Sequence, residues 1–267
     1  MIYLKNEEEI EGMAKAGEIL CKTHLALARI LKPGLSTLQV NDFAEKFMEY
    51  KGSTPEQKGY SGFPYALCTS LNDVICHGFP SADDILKEGD ILSIDNVVNY
   101  KGYLADSCWS YAIGQLSEEN QKLMDVTKES MYRGIEQAID GKRLGDIGNA
   151  IQSYVEENGF SVVRDFVGHG IGKEMHEDPQ VLHYGKPNRG KRLIENMVIT
   201  IEPMVNVGGY EMRLEDNGWV ARTKDGSVSC QFEHTLVVKK DKAMILTNQD
   251  DYKLTQEEID WIDKYKF

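Results

Sequence analysis

Five residues of this chain have side chains suited to holding a cation and lie where an uncompensated charge would be costly. Asp95 follows the apolar run Ile91-Leu92-Ser93-Ile94, Glu202 follows Val198-Ile199-Thr200-Ile201, and Glu233 precedes Thr235-Leu236-Val237-Val238. A carboxylate among apolar neighbours is expensive to bury unless it is paired, hydrogen-bonded or bound to a metal. Asp106 lies across the Tyr100-Lys101-Gly102 turn from Asp95, so a hairpin there brings both acids to one point if the register permits. His169 sits between Gly168 and Gly170 after an apolar run; glycine allows positive φ and close backbone approach, so a Gly-His-Gly turn presents the imidazole at a cleft. Taken singly, each residue has an ordinary structural explanation: a strand-end acid, a salt bridge or a glycine-rich turn. Taken together, four carboxylates and one imidazole form an oxygen-rich shell that suits two divalent ions sharing bridging carboxylates. Thr200 and Thr235 share the strand parity of Glu202 and Glu233, which lets their hydroxyls orient those acids.

The elements that must position these groups come in a repeated order. Asn6 and the acidic run Glu7-Glu8-Glu9 predict a helix start, with the helix extending to about Leu31, before Lys32-Pro33-Gly34. His24 on this helix reads as structural. Ser36-Thr37-Leu38-Gln39 resembles a capping box opening a second helix that ends near Gly52. A loop rich in Gly, Pro and aromatics follows, from Lys58 to Tyr65, and then predicted strands at 66–70, 74–78, 91–99 and 103–113. The second part of the chain predicts helices from Ser117 to about Ala138 and from about Gly145 to Glu157, then strands at 161–166, 197–205, 219–223 and 229–238. Helix, helix, strands, repeated once, predicts an α+β fold with pseudo-twofold halves and a mainly antiparallel sheet, and a short surface helix from Thr255 to Tyr265.

Composition narrows the class. With 267 residues the chain can bury a substantial core, and its 41% hydrophobic and 27% charged residues are those of a globular protein. The formal charge of −13 argues against a general nucleic-acid surface, and the one basic cluster, from Lys186 to Arg192, reads as a solvated loop. Five scattered cysteines without a Cys-x-x-Cys spacing favour reduced thiols. The N-terminal residues lack the apolar run of a signal peptide and no apolar stretch is long enough to span a bilayer, so a cytoplasmic protein is expected.

The run Phe166-x-Gly168-His169-Gly170-Ile171-Gly172-x-x-x-His176-x-x-x-x-Val181-x-His183-Tyr184 resembles the signature of the type I methionine aminopeptidases. The resemblance extends, in order, through Cys76-His77-Gly78, Ile94-Asp95, Ala105-Asp106-Ser107, Thr200-Ile201-Glu202-Pro203-Met204 and Gln231-Phe232-Glu233-His234-Thr235. It implies the pita-bread fold: one catalytic domain over 1–267, two pseudo-symmetric halves at about 1–115 and 116–250, a curved, mainly antiparallel sheet covered by helices, and a short C-terminal helix after 254. It further implies co-translational removal of the initiator methionine from nascent chains when the second residue is small. By the same resemblance Asp95, Asp106, His169, Glu202 and Glu233 bind two divalent ions, among Co²⁺, Mn²⁺, Fe²⁺, Zn²⁺ and Ni²⁺. Glu202 moves the proton, while His77 and His176 contact the peptide. The methionine pocket is walled by Tyr60, Phe63, Cys68, Met175 and Trp219, with Met204 and Gln231 nearby. His183 and His234 fall outside the ligand set.

The implied partners are N-terminal methionine of nascent peptides and the ribosome, with no DNA and no membrane, and the implied state is a monomer. Asn96, Phe232 and Cys230 depart from the usual pattern without removing a ligand. Of the alternatives, X-Pro aminopeptidases and prolidases carry a different histidine motif, and type II methionine aminopeptidases insert a helical segment between the second histidine and the Glu-Pro motif. Here Glu202 lies only 26 positions after His176. A catalytically inactive binding protein of the same fold would lack ligands that this chain retains.

Overall fold

The computed structural model describes residues 2–267. The chain runs α1 (Glu7–Ile30), α2 (Thr37–Tyr50), β1 (Thr54–Pro55), β2 (Cys68–Leu71), β3 (Val74–Cys76), β4 (Ile91–Tyr100) and β5 (Tyr103–Ala112). The order of helix, helix and strands then recurs. It begins with α3 (Glu118–Ile135), α4 (Leu144–Glu157), β6 (Ser161–Val162), β7 (Gly168–Gly170), β8 (Glu177–Val181) and β9 (Val198–Ile201). It continues through β10 (Met204–Asn206), β11 (Met212–Leu214), β12 (Ala221–Thr223), β13 (Ser229–Gln231), β14 (His234–Val237) and β15 (Met244–Ile245), and α5 (Gln256–Lys264) closes the chain.

The helix starts follow from their caps. Asn6 Oδ1 accepts from the Glu9 amide while Glu9 Oε2 accepts from the Asn6 amide, both at 2.9 Å, so two otherwise orphaned donors are satisfied reciprocally. Ser36 and Gln39 close α2 in the same way. α1 and α2 lay Leu20, Leu27, Phe43 and Phe47 onto β4 and β5 through Leu92, Ile94 and Ala105. α3 and α4 lay Leu123, Met131, Ile147 and Ile151 onto Ile199, Ile201 and Leu236 of β9 and β14. The terminal helix is more than a surface element. Ile262 is buried, and Trp261 and Tyr265 pack on Phe43. The nearly inaccessible Glu258 carboxylate pairs with Lys51 and, at 3.4 Å, with Lys22.

The strands form four sheets, with orders β1-β4-β2 (β5 pairing with β4), β13-β10-β6, β11-β12-β3 and β15-β14-β9-β7-β8. Every strand pair is antiparallel. Several predicted strands are shorter than their apolar runs. The run at 197–205 is interrupted at Glu202-Pro203 and that at 229–238 at Phe232-Glu233, so each breaks where a carboxylate turns out of the ladder. Proline lacks the amide that a ladder needs, which accounts for the first break. The predicted strand at 161–166 contracts to two residues. The Gly-His-Gly segment, in turn, is the strand β7 rather than a turn.

His24 is a structural residue. It is fully buried, its Nε2 lies 3.2 Å from the Ser107 carbonyl oxygen and its Nδ1 lies 2.9 Å from the Tyr111 hydroxyl. Burial pulls its pKa down to about 4. The folded state therefore holds the ring neutral down to about pH 4 while the unfolded state protonates it as pH falls through about 6.5, so this stability is present above about pH 6.5 and is lost as pH falls toward 4. Urea unfolding of wild type and His24→Gln is expected to show the variant's deficit shrinking by about 2 kcal/mol between pH 7.5 and pH 5. A deficit independent of pH would show that His24 protonation is not linked to folding.

Candidate metal and catalytic site

The hairpin of β4 and β5 pairs Asp95 with Cys108 and Val97 with Asp106, so the two aspartates are diagonal neighbours on one face. The second part of the chain brings the other three groups. His169 is the middle residue of β7, whose flanking glycines are required by close approach. A Cβ at Gly168 would lie 2.5 Å from the Thr200 carbonyl oxygen, and one at Gly170 would lie 2.2 Å from that of Asp178. Glu202 stands directly after β9 and Glu233 between β13 and β14. All five groups line one cavity. His169 Nε2 is 3.6 Å from both Asp106 Oδ2 and Glu202 Oε1. One donor atom each from Asp106, His169 and Glu233 lies within 4.8 Å of the others.

Asp106, Glu202 and Glu233 are buried, and no lysine or arginine pairs with them among the described residues. Burial pushes the Asp95 carboxyl up to about 6 and Glu202 up to about 8. Asp106 and Glu233 are also held well above the carboxylate range, first by burial and then by the neighbouring acids. Burial, reinforced by His176, lowers His169 to about 4, leaving a neutral imidazole with a lone pair to donate. Among the described residues, Asp95 Oδ1, Asp106 Oδ1 and Glu233 Oε1 lack a hydrogen-bond partner. Clustered acids with unused lone pairs and no protein cation fit divalent metal.

The surrounding hydrogen bonds correct one expectation and add one residue, His183. Thr200 donates to Glu202 Oε1 at 2.7 Å and accepts from the His169 amide at 2.9 Å, as its parity predicts. Thr235 does not orient Glu233. Its hydroxyl bonds the backbone of Asp106, donating to the carbonyl at 2.8 Å and accepting from the amide at 3.1 Å, because β14 lies beside β5 there. His183 is buried and its Nε2 accepts from the Glu202 amide at 3.1 Å, fixing the backbone that carries that acid. His234 instead turns toward Thr247 and Tyr132.

The site opens into a cavity of about 550 Å³, and Tyr60, Phe63, Cys68, Met175, Met204 and Trp219 are among the residues that line it. Gln231 stands behind this lining, 3.5 Å from Glu202 Oε2. His77 also lines it, in a left-handed conformation (φ 56°), packed edge-on against Phe166 and Trp219. His176 lies against His169, ring centroids 4.4 Å apart, and its Nδ1 is 3.0 Å from the Tyr60 hydroxyl. The next residue, Glu177, is clamped by Lys5 at 2.6 Å and caps the amides of Lys173 and Glu174, so the N-terminal segment braces the loop that carries His176. The sequence held no local signal for the Tyr60 and Lys5 contacts.

Residues 11–240 match the model of metallopeptidase family M24. The chain belongs to this metallopeptidase family, among the methionine aminopeptidases. The methionine aminopeptidase of Clostridium acetobutylicum is 47% identical over 247 residues, covering 92% of this chain and 99% of that protein. Methionine aminopeptidase 1 of Bacillus subtilis is 46% identical over 248 residues, again covering 92% and 99%. The crystal structure of methionine aminopeptidase from Rickettsia prowazekii superposes with a TM-score of 0.91 at 41% identity, covering 93% of this chain and all of that one. The M24 chain thus has the expected pita-bread fold and is a metalloaminopeptidase. Among the described residues, no helix is long and apolar enough to cross a membrane.

Proposed function

We propose that this M24 chain hydrolyses the first peptide bond of polypeptides that begin with methionine and carry a small second residue. Asp95, Asp106, His169, Glu202 and Glu233 would hold two divalent ions, with Co²⁺, Mn²⁺, Fe²⁺, Zn²⁺ and Ni²⁺ all compatible with one imidazole and four carboxylates. When bound, such ions lower the pKa of water and polarise a carbonyl. The observation that carries this reading is that a cluster of buried acids without a protein cation shares one cavity with apolar side chains. An unbranched thioether fits a wall of Phe63, Met175 and Trp219. Asp95 and Asp106 come from the half spanning 1–115 and the other three from the half spanning 116–250, so we place the site at the seam of a duplicated unit.

Within this site Glu202 takes the proton of the attacking water and passes it to the departing amine, its carboxylate held in place by the Thr200 hydroxyl. Tyr60 donates to His176 Nδ1, which leaves the proton of the neutral ring on Nε2 to be donated to the carbonyl oxygen as charge develops. His77, half-buried and with its pKa lowered to about 4 by desolvation, contacts the scissile amide nitrogen as a neutral ring. The test is release of free methionine from Met-Ala-Ser peptides, with Met-Xaa-Ser peptides of increasing second-residue size for comparison, in each of the five metals. Release that falls with second-residue size is expected; absence of release in every metal would sink the reading. The N-terminus of a chain emerging from the ribosome is the substrate this reading assigns, met by a monomer in the cytoplasm.

A further inference from the structure

A second groove, of about 390 Å³, adjoins the catalytic cavity, and Asp178 and Gln180 line both. Both belong to β8, the edge strand of its sheet, on which Asp178 and Gln180 are exposed, as is Leu182 directly after it, while Pro179 and Val181 are buried. One exposed strand face therefore leads from His176, just ahead of β8, into the groove. Leu182 and Tyr184 line the groove along with three cations, Lys186, Arg189 and Lys191. In a chain of net charge −13 this concentration of positive charge is anomalous, and none of the three is in an ion pair among the described residues. The loop that carries them is clamped to the start of α4. Gly145 donates to the Arg189 carbonyl at 2.9 Å, Asp146 accepts from the Asn188 amide at 2.6 Å, and Arg143 donates to the Gly190 carbonyl at 2.8 Å. The local acid Asp146 is thus engaged by backbone amides, and Asp178 in the groove lining feels Lys191, so Lys186 and Arg189 are the cations left without an acidic partner among the described residues.

We propose that this groove is an extended substrate subsite: the polypeptide continues from the cavity along β8, and the groove selects acidic side chains downstream of the cleaved bond. The proposal rests on the aminopeptidase reading. From Glu177 to Leu182, directly after the strand, the chain spans roughly 17 Å, so an extended peptide reaches the Leu182 end of the groove after about five residues and the selected positions begin near the fifth residue of the substrate. The cations supply charge complementarity, and Leu182 with Tyr184 supplies an apolar floor for the aliphatic parts of glutamate.

The experiment compares kcat/KM for Met-Ala-Ser with that for nine-residue peptides beginning Met-Ala-Ser and carrying Glu, Gln or Lys at positions five to eight. Wild type is expected to prefer the Glu peptide over the Lys peptide about tenfold at low salt, a preference that fades at high ionic strength. The triple variant Lys186→Glu, Arg189→Glu, Lys191→Glu is expected to reverse the order and leave Met-Ala-Ser turnover unchanged. In parallel, fluorescence anisotropy of a labelled acidic peptide lacking the N-terminal methionine reads the groove on metal-free protein, independently of turnover. If Met-Ala-Ser is not cleaved, the aminopeptidase reading falls while the anisotropy still decides the groove. Equal turnover of the three long peptides, acidic preference surviving in the triple variant, or tighter binding of a short oligouridylate than of the acidic peptide would each overturn the proposal.

Discussion

Replacing Glu202 with Gln is expected to lower kcat for Met-Ala-Ser by about 10³-fold while the protein remains folded, because the substitution removes the proton carrier and one cation-binding oxygen charge but keeps the shape. Gln still offers a carbonyl oxygen to the Thr200 hydroxyl, which now donates to Glu202 Oε1 at 2.7 Å, and its backbone amide still reaches His183. The change also removes one negative charge from a buried cluster in which Asp106 and Glu233 feel Glu202 directly. The metal-free variant should therefore unfold at a higher temperature than metal-free wild type near pH 8. Loss of activity together with a gain in metal-free stability is a signature that misfolding does not produce. His169→Ala should likewise lose activity, because the neutral imidazole 3.6 Å from Asp106 and Glu202 is the one nitrogen donor in the set. Wild-type turnover in either variant would refute the roles assigned here, and circular dichroism checks that each is folded.

Metal binding and proton release should be coupled strongly enough to change the protein's thermal stability with pH. Asp95 is raised to about 6 and Glu202 to about 8, with Asp106 and Glu233 also raised, so the metal-free folded state holds more protons than the unfolded state across this window. With more protons bound in the folded state, stability must fall as pH rises from the ordinary carboxylate range toward 8. Divalent ions bind the deprotonated acids, displace those protons and remove the repulsion. The ion-induced rise in Tm is therefore larger at pH 8 than at pH 6, by about 5–10 °C for a few kcal/mol in a chain of this size. His169, lowered to about 4, is already neutral at both pH values and adds no proton to the release. Thermal scans with EDTA or Mn²⁺ at both pH values measure the effect. Calorimetric titrations in buffers of different ionisation enthalpy count the protons. Equal Tm shifts at the two pH values, with no proton release, would place the metal elsewhere.

The five residues were legible in the sequence because an acid beside an apolar run (Asp95, Glu202, Glu233) or a histidine between glycines (His169) is a local chemical anomaly, and Asp106 faces Asp95 across a short turn. The long, capped helices were equally legible, since Asn6 with Glu9 and Ser36 with Gln39 carry their signal within four residues. The basic loop from Lys186 to Arg192 was legible only as composition. That it borders a groove joined to the catalytic cavity emerged when β8 and α4 came together.

The sequence alone determined the helices and singled out the candidate reactive groups, because periodicity, capping and the cost of burying charge act between near neighbours. The tertiary structure decided which groups share a point and what orients them. β7 forms although glycine disfavours strands, because only glycine lets its neighbours approach within the distances seen beside Thr200 and Asp178. Tyr60 meets His176 across 116 positions, Lys5 meets Glu177 across 172, and Thr235 serves Asp106 across 129. Such contacts are set by how sheets and loops stack in space, and no local spacing encodes them.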